Sequence, residues 1–294
     1  MYREIALIGS TASGKSALAI EYAEAHGADI LSLDSLAIYR EIDIVSAKPS
    51  RDELSRIRHF GIDEIYPDEH FDVTLFIDLY RRARDSSISE GRELIIVGGT
   101  SFYLYILING ISPLPEISVE TRYRVAEYLK DIDEAYSLLY SLDREYMERI
   151  KPQDIYRVEK SLEIYLETGL TPTRYFQLNP PKPIIDGDID IYEIDVDRDT
   201  LRERIALRTE EMFKRGVVDE VRYLEGRYGR EPNCMKAIGI RELLAHFDGE
   251  LTIDEAKERI IINTSRLAKR QRTFNRSKFK NSIKLSSLGQ LKFK

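Results

Sequence analysis

The chain has 294 residues, 43% hydrophobic and 32% charged, a globular mix that suits one large domain or two smaller ones and excludes wholesale disorder. No apolar run reaches the roughly 18 residues of a membrane span, and a strand pattern begins so early that no signal peptide is expected. The single cysteine, Cys234, excludes a disulfide framework and a cysteine-based zinc site, so a reducing, cytoplasmic setting is expected. The net charge of −7 conceals a polarity: Lys257–Lys294 holds 12 Lys/Arg against one acid, Glu258, and the preceding residues carry −18. A basic segment on an acidic body suits either a polyanionic partner or a solvated surface.

In chain order, the apolar run Glu4–Ile8 reads as a strand, and Ala17–Ala23 is rich in helix formers. Between them Gly9-Ser10-Thr11-Ala12-Ser13-Gly14-Lys15-Ser16 fits G-x-x-x-x-G-K-[ST] at every fixed position. Strand, glycine loop and helix N-terminus in that order aim backbone N–H groups and the helix dipole at a di- or triphosphate. Lys15 is expected to reach the outer phosphate, and the Ser16 hydroxyl to face a magnesium ion. The motif does not say which phosphate compound is held.

Ala28–Leu33 reads as a second strand, ending at Asp34-Ser35. In an open parallel sheet the ligand lies at the carboxyl ends of the strands, so Asp34 is expected near the glycine loop as magnesium ligand, general base or helix N-cap. A short strand is expected over Ile62–Tyr66, and a helix over Phe71–Ser89. A third strand, Glu93–Val97, leads into Gly98-Gly99-Thr100; two glycines there would allow backbone to approach a ligand. The Thr100 hydroxyl suits a phosphate oxygen or a helix N-cap equally, and Ser101–Asn109 continues as a helix.

The texture changes at Ser112-Pro113-Leu114-Pro115. From Val119 to Gly169 the pattern is helical, with helices expected over Val119–Lys130, Asp133–Ile150 and Asp154–Thr168. Arg157 and Lys160 share a face of the last, as a phosphate grip or a solvated surface. A second proline break, Asn179–Pro183, precedes the alternating strand Asp190–Val196. The helical block is therefore an insertion, residues 116–187, in an α/β core made of 1–115 and 188–294. Arg198–Lys214 reads as a charged helix with Arg204 and Arg208 four apart, and Cys234–Leu244 as a helical stretch with a mid-element glycine. In Arg266–Arg276, basic residues alternate with Gln271, Phe274 and Asn275, a texture suited to phosphate gripping with base contact or stacking.

Taken together, the glycine loop, Asp34-Ser35-Leu36-Ala37-Ile38-Tyr39-Arg40, Ala47-Lys48-Pro49, Val97-Gly98-Gly99-Thr100, Ser112–Pro115, Gly239-Ile240-Arg241 and Leu267-Ala268-Lys269-Arg270-Gln271 resemble the tRNA dimethylallyltransferase (tRNA isopentenylpyrophosphate transferase) family. The resemblance runs over nearly the whole chain, Ile5 to Arg276. It implies a P-loop NTPase-like α/β fold, a parallel sheet flanked by helices, with an all-helical insertion gripping the anticodon stem of tRNA. It implies transfer of a dimethylallyl group from dimethylallyl diphosphate to N6 of the adenosine 3′ of the anticodon (position 37), with magnesium. The protein would be a monomer not associated with a membrane.

Carried over residue by residue, the resemblance makes Asp34 the general base. Lys15, Thr100 and, less directly, Arg208 would stabilise the leaving diphosphate held by Gly9–Ser16. It places tRNA contacts at Asp34, Ser35, Leu36, Ala37, Thr100, Arg122, Tyr156, Arg157, Val158, Glu159, Lys160, Lys236, Ala237, Ile238, Gly239, Ile240 and Arg241. In the basic segment it places them at Lys269, Arg270, Gln271, Arg272, Thr273, Phe274, Asn275 and Arg276. The chain departs from the family pattern at Ser10, where proline is common, and at Tyr156, Lys160, Lys236 and Ala237. It carries no appended cysteine/histidine zinc finger, so it resembles the bacterial members. A small-molecule P-loop kinase, a transferase acting on free adenine nucleotides and an RNA-binding module are the competing readings; the first two have no need of the basic segment.

Overall fold

The computed structural model describes residues 2–285, and the chain divides into two compact units, residues up to Leu107 with those from Ile185, and Ile108–Ile184. The first unit opens with β1 (Glu4–Gly9), α1 (Lys15–His26) and β2 (Asp29–Leu33), followed by α2 (Arg51–Arg56), β3 (His59–Phe60), α3 (Val73–Ser89), β4 (Leu94–Gly98) and α4 (Ser101–Asn109). The second holds α5 (Val119–Tyr128), α6 (Ile132–Leu142), α7 (Arg144–Met147), α8 (Ile155–Thr168) and α9 (Pro172–Leu178). The chain then returns through β5 (Asp190–Ile194), α10 (Arg198–Lys214), α11 (Val217–Tyr228), α12 (Ile240–Phe247), α13 (Ile253–Lys278) and β6 (Ile283–Leu285).

All strands are parallel, in the order β3-β2-β4-β1-β5-β6. Ile5, Leu7, Ile30, Ile95 and Ile194 are buried with Leu18, Ala19 and Tyr22 of α1, as expected of central strands covered on their faces, whose sequences run apolar without alternation. Because every strand points the same way, the segments after β1, β2, β4 and β5 leave from one edge, where ligands collect in such sheets. No helix among the described residues is long and apolar enough to cross a membrane.

The strand expected at Ile62–Tyr66 lies earlier, at His59–Phe60. Gly61 (φ 79°) and Asp63 (φ 56°) turn the backbone into the left-handed region and stop the ladder, leaving only an isolated bridge between Tyr39 and Ile65. The helix expected over Asp133–Ile150 is split at Asp143. This buried carboxylate caps α7 through the Tyr146 N–H (3.2 Å) and also takes the Thr173 N–H (2.6 Å) and hydroxyl (2.8 Å). The stretch Cys234–Leu244 is likewise divided, into a 3-10 turn (Asn233–Lys236) and α12, with Gly239 at φ 100° between them.

The helical unit is larger than the 116–187 expected from the prolines. Its core joins Val125, Leu139, Met147, Val158 and Leu162. The proline-bearing segments on either side pair with each other through an antiparallel bridge, Ile111 to Lys182. That bridge groups them with the helices.

Candidate active site

The glycine loop joins β1 to α1, whose N-cap is Gly14 with no side-chain cap, so the first N–H groups of the helix are left to an outside acceptor. Lys15 is 8% exposed. Its ammonium folds back on the loop, donating to the Ser10 carbonyl (2.7 Å) and the Ser13 hydroxyl (3.5 Å). Burial, and then the nearby Arg208 guanidinium, push the Lys15 pKa down from 10.5 to about 8, with Asp34 pulling the other way. Of the loop residues, Thr11 to Ser16 line the cavity it opens on, and Gly9 and Ser10 are not among the lining residues.

Asp34 follows β2. Its Oδ1 accepts the Leu36 N–H (2.8 Å) and the Ala37 N–H (3.1 Å), so the carboxylate is fixed by its own turn. Both bonds use one oxygen, and Oδ2 takes no hydrogen bond among the described residues. A turn role and a chemical role are thus compatible. Thr100 immediately precedes α4, with its N–H on the Leu33 carbonyl (3.0 Å). Thr100 and Asp34 reach the same cavity, of about 610 Å³, as Lys15 and Ser16.

The two glycines before Thr100 line the cavity and also let other parts of the protein come close. A Cβ on Gly98 would lie 2.5 Å from the Leu33 carbonyl oxygen, and one on Gly99 would lie 2.5 Å from Gln271 Nε2. Removing both side chains lets β2 close on β4, and lets a glutamine amide from α13 lie over the strand end.

Two groups lining the cavity, Arg204 and Lys48, and one that does not line it, Glu220, stand outside the catalytic set read from sequence. Arg204 joins Arg208 on one face of α10; they donate to the Ser13 carbonyl (3.3 Å) and the Thr11 hydroxyl (3.4 Å). Their spacing of four was the available signal. Burial lowers the Arg208 pKa, and Asp34 opposes the shift. Lys48, with its side chain 4% exposed, donates to the Tyr39 carbonyl (2.7 Å), Asp43 (2.7 Å) and Asp63 (2.5 Å). Glu220 takes the N–H groups of Asp43, Ile44 and Val45 at 2.7–2.9 Å. Lys48 and Glu220 pin the long segment after Asp34 against the cavity; nothing local to Glu220 in the sequence marks it.

Ser16 and Asp34 offer hard oxygen donors to the same cavity, and no cluster of three or more His, Cys, Asp or Glu that could hold a metal occurs among the described residues. A hydroxyl and one carboxylate fit magnesium, which keeps several waters and takes its other ligands from substrate phosphates.

Of the residues expected to meet RNA, Ser35, Leu36, Ala37, Ala237 and Ile238 line the same cavity. Lys269, Arg270, Thr273 and Phe274 form a separate shallow groove on α13 with Arg266 and Ser277. There Phe274 packs edge-on against Tyr105 at 6.2 Å. Lys236, Arg241 and Arg276 are exposed, Arg241 being paired to Glu242 at 2.7 Å. Arg122, Tyr156, Arg157, Glu159 and Lys160 belong to the helical unit. Tyr156 is 66% exposed, while Arg157 pairs with Asp154 (3.1 Å) and Lys160 with Glu163 (2.7 Å).

Expectations for Val158, Ile240, Asn275 and Gly239 are corrected, whereas Arg272 and Gln271 stay partly exposed. Val158, Ile240 and Asn275 are 0% exposed: the first two fill cores and Asn275 faces Glu193, so none can touch RNA without unpacking. Gly239 is also buried, against Val45. Arg272 bonds Asp195 (3.2 Å) and the Val196 carbonyl. Gln271 turns to the glycine loop, its Oε1 accepting the Thr11 N–H at 2.8 Å. A helix shows only part of its circumference to a partner, which a contiguous run of residues does not reveal.

The family model for IPP transferase matches residues 37–278. Among curated relatives, the tRNA dimethylallyltransferase of Sulfurovum sp. is 55% identical over 96% of this chain and 94% of its own. That of Sulfurimonas denitrificans is 51% identical over 98% and 96%. Among solved structures, the tRNA isopentenylpyrophosphate transferase of Bacillus halodurans is 28% identical with a TM-score of 0.69, over 97% of this chain and 89% of that one. A eukaryotic dimethylallyltransferase acting on tRNA, 24% identical, shares the fold with a TM-score of 0.83 over 98% of this chain and 75% of its own.

Proposed function

The chain belongs to the IPP transferase family, and from that premise we propose that it transfers a dimethylallyl group from dimethylallyl diphosphate to N6 of adenosine 37 in tRNA. The observation that carries this reading is one cavity lined by both a phosphate cradle and the Asp34 carboxylate. A loop that elsewhere binds nucleotides here holds the diphosphate of an isoprenoid, which departs instead of being transferred.

In the reaction the bond from C1 of the dimethylallyl group to the diphosphate oxygen breaks, and a bond from C1 to N6 forms. The exocyclic amine is a weak nucleophile, so its proton must be taken as that bond develops. Asp34, held by Leu36 and Ala37, is the acceptor. Charge collects on the leaving diphosphate, where Lys15, Arg208, Thr100 and the uncapped N–H groups of α1 oppose it. The Ser16 hydroxyl would hold a magnesium ion, which would supply further positive charge to the diphosphate. The target base must leave the anticodon-loop stack to enter the cavity that holds Asp34. The α13 groove and the exposed Tyr156 face hold the RNA by phosphate contact and stacking.

The deciding measurement incubates the protein with unmodified tRNA and labelled dimethylallyl diphosphate, with labelled ATP in parallel. Label passes from the isoprenoid to tRNA; label from ATP alone would show a kinase.

The depressed Lys15 pKa gives a pH prediction. In the free protein Lys15 loses its proton as pH rises through about 8, and a bound diphosphate raises that pKa by favouring the ammonium. Affinity for dimethylallyl diphosphate is therefore full below pH 8. It weakens by about tenfold per unit above it until the raised pKa of the complex is reached. Calorimetry in buffers of different ionisation enthalpy then detects proton uptake on binding above pH 8, and none if Lys15 stays charged in the free protein.

Neutralising Lys269, Arg270 and Arg276 together weakens tRNA binding and reduces the slope of log affinity against log salt by roughly 2 to 3, because each phosphate that the protein no longer neutralises keeps its counterion. An unchanged slope places the RNA surface elsewhere.

A further inference from the structure

The side chain of Gln271 lies on α13 among residues whose neighbours face RNA, yet it does not share their face. Thr264, Leu267 and Gln271, spaced three and four apart, line the main cavity. Arg266, Arg270, Thr273 and Ser277 line the basic groove on the other side of the same helix. Gln271 Oε1 accepts the Thr11 N–H at 2.8 Å, and its Nε2 lies over Gly99, close enough that a Cβ there would meet it at 2.5 Å. Thr11 is also held through its hydroxyl by Arg208, and the next residue, Ala12, is in the left-handed region at φ 61°. The turn that shapes the cradle is thus fastened from two helices, α10 and α13.

We infer that Gln271 is a positioning residue for the diphosphate end of the reaction, fixing the glycine loop through Thr11, and does not touch RNA. The inference rests on the reading above, that the loop holds dimethylallyl diphosphate. A fixed loop matters because its N–H groups act on the leaving group only if their directions are set before the charge develops. Without Gln271, the Thr11 N–H has no protein acceptor and the loop must be ordered by the diphosphate itself, at a cost in its binding. Gly99 has a specific part in this. Any larger residue there displaces the amide, so Gly99 and Gln271 act as one unit although they come from β4's end and from α13.

The test compares Gln271→Ala and Gly99→Ala with the unaltered protein, measuring KM for each substrate with the other saturating. Gln271→Ala raises KM for dimethylallyl diphosphate about fivefold, the loss of one hydrogen bond. KM for tRNA stays within about twofold and kcat falls less than KM rises. Gly99→Ala, which leaves Gln271 in the sequence but displaces its amide, moves the same constant in the same direction. If Gln271→Ala instead raises KM for tRNA and leaves that for the diphosphate unchanged, the side chain belongs to RNA recognition and the inference is overturned. If Gly99→Ala leaves both constants unchanged, the pairing of Gly99 with Gln271 is refuted. Failure of the unaltered protein to transfer the dimethylallyl label is a separate result, bearing on the reaction and not on Gln271.

Discussion

Asp34→Ala lowers kcat by about a thousandfold while tRNA binding is retained, the loss expected when a positioned base is removed from a proton transfer. The complication is the turn: Asp34 Oδ1 accepts the Leu36 and Ala37 N–H groups, and alanine removes those bonds too. Asp34→Asn separates the two roles. The Asn carbonyl oxygen can take both N–H groups, so the turn survives, but the amide cannot accept a proton. Asparagine therefore matches alanine in its loss of kcat if Asp34 is the base. Should Asp34→Asn retain near-full turnover, Asp34 serves only as a turn residue and the base must be sought elsewhere in the cavity. Single-turnover rates with preformed tRNA complex make the comparison independent of binding.

Lys15→Met is the second large loss, roughly 100- to 1,000-fold in kcat/KM for dimethylallyl diphosphate, by analogy with removal of one preorganised donor from a developing anion. Methionine nearly fills the space of the buried stem, so packing changes little, but the Ser10 carbonyl and Ser13 hydroxyl lose the ammonium that bridges them. Part of the loss is therefore loop order and part is charge. The fall in activity above pH 8 should vanish with the substitution, because the group that titrates there is gone. A Lys15→Met protein that keeps the same alkaline limb would assign that limb to another residue. Arg208 stands near enough to Lys15 to lower its pKa, so the two cations are coupled, and the double substitution should cost less than the sum of the singles.

The glycine loop is the part of the site most legible in the chain, because its function is local. Residues nine to sixteen run from strand end through turn to helix start in one short stretch, and that spacing states where the N–H groups point, although Arg208 and Gln271 also fasten the turn from α10 and α13. Asp34 and Thr100 were readable for a different reason. They follow apolar runs, and the rule that parallel strands present their carboxyl ends on one edge converts sequence position into proximity. The relatives at 51% and 55% identity accord with the family resemblance that these motifs, taken in order, carry.

What escaped was decided by direction around a helix and by contacts between distant segments. Lys269–Arg276 is a contiguous basic run, yet α13 sends Lys269, Arg270, Thr273 and Phe274 to one groove, Asn275 into the core and Gln271 to the glycine loop. Glu220 gave no sign that it holds three N–H groups of a segment some 175 residues earlier. Gly98 and Gly99 line the cavity as expected, but that each also closes against another part of the chain was not visible. By itself, then, the sequence determined the glycine loop, the parallel-sheet edge and the family, since each is written in short-range spacing. Only the tertiary structure decided which side chains share the cavity with that loop, because helix phase and long-range packing select them, and neither is a property of any single stretch.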